Sequence, residues 1–120
     1  MYIMESHPFL HIFDDTKAEV GDIIHPYFHK DEPKLWDDNA PDYSDPTYNL
    51  KNVSYEWQWT VSDIINSIIS AGMTLEFFNE YDKEFYKAFP EMVRESKDWW
   101  ILPRLRESLP MIFTLRARKN

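Results

Sequence analysis

No cysteine occurs in the 120 residues, which removes disulfides, thiol nucleophiles and cysteine-based metal sites together. Glycine is almost as scarce. Only Gly21 and Gly72 occur, and neither stands in a Gly-x-Gly setting. The glycine-rich loops that bring backbone close to a nucleotide or dinucleotide are therefore missing. Positive charge is sparse too: the formal net charge is −8, and the one basic cluster is Arg116, Arg118 and Lys119. A nucleic-acid partner calls for a basic face, so none is expected. No apolar run approaches the ~20 residues that span a bilayer. Met1–His7 turns polar too soon for a secretory core segment. The expectation is no membrane and a cytoplasmic location.

Aromatic and apolar residues are abundant, at 17% and 43%, and this composition belongs to a folded chain rather than a disordered one. The whole of 1–120 is read as one domain. Residues 2–7 are a short apolar strand that stops at His7-Pro8, because proline continues a central strand poorly. Pro26, Pro33, Pro41 and Pro46 break residues 21–60 into turns and short extended pieces rich in Tyr and Trp.

The clearest element comes next. Val61, Ile64, Ile65, Ile68 and Ile69 recur at the spacing of a helix with one buried face. Thr60 or Ser62 can cap its start, Asp63 suits the positive end of its dipole, and Gly72 supplies a left-handed stop. Residues 74–81 are strand-like, with Leu75, Phe77 and Phe78 among them. Residues 82–110 are a second irregular excursion with room for a short helix at 90–96. Residues 111–118 alternate Met111, Phe113, Leu115 and Ala117 against Ile112, Thr114, Arg116 and Arg118, which is a final strand.

Candidate chemistry is thin. His7 and His11 are four apart, as are His25 and His29, but Pro8 and Pro26 lie inside the two pairs and oppose the helix that a chelating pair needs. No metal site is expected. The acidic stretch 36–42 lacks the spacing of a calcium loop. No serine sits in a nucleophile-elbow glycine pattern. Glu5 and His7 stand at the carboxyl end of the first strand, the edge where open α/β sheets bind ligands. Trp57, Trp59, Trp99 and Trp100 can line an aromatic pocket or cover sheet edges.

The order strand, long insertion, capped isoleucine helix ending in Ala-Gly, strand, aromatic loop and final strand resembles the second half of a class I S-adenosylmethionine-dependent methyltransferase of bacterial, small-molecule type. The resemblance rests on residues 2–9 (Tyr-Ile-Met-Glu-Ser-His-Pro-Phe), 26–29 (Pro-Tyr-Phe-His), 55–59 (Tyr-Glu-Trp-Gln-Trp), 61–72 and 75–81. It covers nearly the whole chain, from the family's fifth strand onward. It implies an α/β, Rossmann-like partial fold: a small mixed three-stranded sheet in the order first–third–second, its last strand antiparallel, with one main helix and long aromatic loops.

The resemblance also implies a substrate pocket near Glu5, His7, His29, Trp57 and Trp59, with a histidine able to act as base. The family's first strand, glycine-rich loop and ribose-binding acid have no counterpart here. The chain is then expected to hold no cofactor alone, and S-adenosylmethionine only with the missing half supplied. Expected partners are a second copy, in a dimer, or a complementary amino-terminal half. A non-catalytic binding module and one chain of a split enzyme are the alternatives.

Overall fold

The computed structural model describes residues 1–28 and 58–120 in full, and the backbone of 34–38 and 52–56. Along the chain run β1 (Tyr2–Ser6), a 3₁₀ turn (Pro8–Ile12), β2 (Lys34–Asp38), β3 (Asn52–Glu56), α1 (Val61–Ser70) and β4 (Met73–Tyr81). They are followed by β5 (Val93–Arg94), β6 (Trp100–Ile101), a second 3₁₀ turn (Pro103–Leu105) and β7 (Ile112–Lys119). Three of these strands form a sheet in the order β1-β7-β4, and both pairings are antiparallel.

That is the strand order expected, but the class is α+β rather than α/β. The sheet is antiparallel throughout rather than mixed. β1 and β4 share a direction, yet they never pair, because β7 lies between them. Two ribbons were not anticipated: β2 pairs with β3, and β5 with β6. The short helix expected at 90–96 does not form; β5 and turns occupy that stretch.

The burial of β7 accompanies its central place. Strict alternation anticipates one buried face, but Ile112, Phe113, Thr114 and Leu115 are buried in succession, and only from Arg116 does the exposed face begin. Those four residues are covered on both faces of the sheet, while β1 and β4 take up both hydrogen-bonding edges of the strand. Its direction follows from the chain path. The excursion after Tyr81 returns to the same end of the sheet, where the Met111 N–H donates to the Tyr81 carbonyl at 2.8 Å.

Ile64 and Ile68 of α1 pack on Phe113, Leu115 and Ala117, joined by Ile3, Met73, Leu75 and Phe78. Ile69, expected in the same buried stripe, is 60% exposed. The sheet is only three strands wide, so a ten-residue helix covers it with one narrow row of side chains. A second apolar cluster of Leu10, Val20, Phe89, Met92, Leu102 and Met111 is built from the 3₁₀ turn, the segment that follows it and the excursion that precedes β7.

Both ends of α1 are fixed by local chemistry. Thr60 and Asp63 form a reciprocal capping box: the Asp63 N–H donates to Thr60 Oγ1 at 3.1 Å, and the Thr60 N–H donates to Asp63 Oδ2 at 3.0 Å. Gly72 adopts φ +77° directly after the helix. A Cβ there would meet nothing within 4 Å, so the cost of a side chain lies in the backbone alone. Thr60→Ala and Gly72→Ala are each expected to lower stability by about 1 kcal/mol in urea unfolding. Because the two sites lie at opposite ends of the helix, the double variant should lose the sum of the two.

Candidate functional site

The chemistry-bearing residues gather where β1 and β4 end and β7 begins. Glu5 and Glu80 both stand opposite Phe113, one on each neighbouring strand. Residues paired in this way share a face, so the two glutamates flank Phe113 on the face that carries α1. One step beyond β1, the His7 N–H donates to the Met111 carbonyl at 2.8 Å, and the His7 ring meets Phe113 edge-on, centroids 6.3 Å apart.

His7 is buried, and both ring nitrogens are engaged. Nδ1 accepts the Phe9 N–H at 3.1 Å, capping the 3₁₀ turn, and Nε2 lies 2.6 Å from Glu80 Oε2. An acceptor at Nδ1 places the neutral ring's proton on Nε2, which donates it to the carboxylate. Glu80, with 52% of its side chain exposed, is the solvent-reaching end of this pair. In this arrangement Nδ1 serves the turn and Nε2 serves Glu80, and a base role for His7 would require one of these contacts to open. What His7 does here is fix a carboxylate.

Successive strand residues point to opposite faces, and Ser6 reaches a different glutamate. Its Oγ donates to Glu84 Oε2 at 2.9 Å, and the Phe85 N–H donates to Oε1 at 3.0 Å. Glu84 is wholly buried. Desolvation pushes its carboxyl up to about 7, against the pull of the Phe85 and Ser6 hydrogen bonds.

The amino end of α1 is tied to the same corner. The Val61 N–H donates to Tyr27 Oη at 3.0 Å, and Gln58 Nε2 donates to the Pro8 carbonyl at 2.9 Å. Phe9 contacts Phe13 and Tyr27 edge-on, and Tyr27 in turn contacts Phe28. Trp59, half exposed, directly precedes the helix cap.

Of the five pocket residues expected, Glu5 and His7 come together at this sheet end, and Trp59 lies beside the helix that packs there. His29 and Trp57 lie outside the described residues. Ser6, Glu80 and Glu84 carry much of the site's polar chemistry and were not singled out. The available signal was the spacing of Glu80 and Glu84, four apart across the end of the strand-like run 74–81. Among the described residues, no group of three or more His, Asp or Glu side chains is placed to hold a metal ion, and no helix is long and apolar enough to cross a membrane. No family model, no curated protein and no solved structure matches the chain.

Proposed function

We propose that this chain is the carboxyl-terminal part of an S-adenosylmethionine-dependent methyltransferase, supplying the closing strands and part of the acceptor side, with cofactor binding left to a glycine-rich half outside it. The observation that carries this reading is the insertion of antiparallel β7 between β1 and β4, two strands of common direction joined through α1. The corner holding Ser6, His7, Glu80 and Glu84 lies at the carboxyl ends of those two strands, the side on which open sheets of this kind bind ligands.

The two sheet edges give further support. β4 carries a bulge between Leu75 and Phe77 and the charge of Glu76, devices that discourage further pairing. β1 has no proline, lysine or bulge, and beside the single charge of Glu5 it leaves Tyr2 and Met4 exposed. A neighbouring strand from the cofactor-binding half suits that bare edge; in the separate chain a second copy is the competing occupant.

The test is a calorimetric titration of S-adenosylmethionine, with protein near 0.1 mM so that a ~10 µM dissociation constant (about −6.8 kcal/mol) is readily seen. The chain alone is expected to give no saturable heat. The coding DNA upstream of Met1, and neighbouring reading frames, should encode a glycine-rich strand–loop–helix whose product, joined to or mixed with this chain, binds at one equivalent. Saturable binding by the chain alone, or the absence of any such coding segment, would overturn the proposal.

A further inference from the structure

Glu84 is the one acidic residue among the described residues that is fully buried, and its place in the fold gives the burial a purpose. Its backbone forms a reciprocal pair with Trp100: the Glu84 N–H donates to the Trp100 carbonyl at 2.9 Å, and the Trp100 N–H donates to the Glu84 carbonyl at 2.8 Å. Its side chain bonds Ser6, the last residue of β1. One residue thus joins the sheet end to the ribbon of β5 and β6. We infer that Glu84 is a proton-operated latch, which fastens the Glu84–Trp100 pair against the carboxyl end of β1 while its carboxyl is neutral and loosens that pair when it ionises. The inference does not depend on the methyltransferase reading, since every group in it belongs to this chain.

The hydrogen bonds accommodate either form, and burial without a counter-charge is what favours the neutral one. Protonation reverses the Ser6 contact: the carboxyl then donates to the hydroxyl that donates to it in the ionised form, while the Phe85 N–H still satisfies the carbonyl oxygen. The ionised form has the same two neighbours as donors but no counter-charge. Charged groups on the surrounding elements meet other partners. At the end of β1, His7 meets Glu80, and Glu5 is exposed. After β4, Asp82 pairs with Arg106. On the excursion, Lys83 lies 4.4 Å over the Trp99 ring, while Lys87 and Arg94 lie 5.8 Å and 5.0 Å over Trp100. Arg106 also holds Glu95. None of the ion pairs described includes Glu84, so a buried charge there is relieved by letting water in.

The sign of the effect follows from the raised value of about 7 in the closed form, against an ordinary 4.5 when open. Closure is favoured fully below about 4.5, and the advantage is lost as pH rises through about 7. Between pH 5.5 and 8.5, linkage reduces the closed-to-open ratio about thirtyfold.

Amide hydrogen exchange read by NMR, corrected for the intrinsic pH dependence of exchange, tests the latch on the chain as it stands. Protection at the Glu84 and Trp100 amides should fall about thirtyfold across that range, while β7 amides such as Leu115 stay more protected than either. Glu84→Gln, which cannot ionise, should show flat protection. The wild-type Glu84 side-chain carbonyl carbon, followed by its own NMR shift, should titrate over the same interval, which keeps the test decisive if the variant folds poorly. Flat protection in the wild type, an equal fall in Glu84→Gln, or Leu115 exchanging as fast as Trp100 at pH 8.5 would each overturn the latch.

Discussion

Leu115→Ala is expected to lower the unfolding free energy by about 3–4 kcal/mol. Leu115 has no exposed surface and stands in the middle of the central strand, paired with Ile3 on one side and Phe78 on the other. Ile64 and Ile68 of α1 belong to the same cluster. Truncation removes three buried carbons and leaves a cavity walled by three separate elements, so collapse around it is hindered.

Ile69→Ala is the natural control. It is also an apolar truncation in the stripe read from sequence, but at 60% exposure it should cost no more than a few tenths of a kcal/mol. Urea unfolding of the two variants separates them. Comparable losses would mean that the helix face has been placed wrongly against the sheet.

The contrast between Leu115 and Ile69 also marks how far the sequence can be followed. Local chemistry was readable: Thr60 with Asp63 for the cap, Gly72 for the stop, and the apolar period for the helix. Strand order was readable only through resemblance to a family, since nothing in the period of residues 111–118 says that they lie between two other strands. Alternation in fact understated their burial, because polar Thr114 lies buried beside Ile112. The β2–β3 and β5–β6 ribbons were missed because their strands are short and their neighbourhoods are crowded with Pro, Asp and Trp, which mask any two-residue period.

The polar site was the least legible part. Glu5 and His7 could be placed at a strand end from the proline that follows them. The side chains that engage the end of β1, however, come from residues more than seventy positions away: Glu80 for His7 and Glu84 for Ser6. A buried carboxylate carries no mark in a single sequence. Glu84 differs from the chain's exposed acids only in what the fold packs around it.

His7 supplies the second large effect, and its variants divide a structural role into parts. His7→Ala deletes a buried ring, leaves the Phe9 N–H without its acceptor and strips Glu80 Oε2 of its donor. A loss of about 2–4 kcal/mol is expected from cavity and unmet hydrogen bonds together. His7→Asn keeps an acceptor suited to the Phe9 N–H, since asparagine is among the strongest caps, but its amide is too short to reproduce the Nε2 contact. It should recover about half of the loss. His7→Gln has the opposite property, reaching toward Glu80 while placing no acceptor where Nδ1 was.

If the cap carries most of the energy, Asn is the better replacement. If the Glu80 contact carries it, Gln is better, and Glu80→Gln should then cost nearly as much as His7→Gln recovers. Glu80 is half exposed, so its share is reduced by competition with water, and the expected order of stability is wild type, Asn, Gln, Ala. Recovery by Gln above Asn would show that the imidazole is there for the carboxylate first and for the turn second. In either order His7 holds its proton toward Glu80, and Glu80 rather than the ring is the group at this corner that meets solvent.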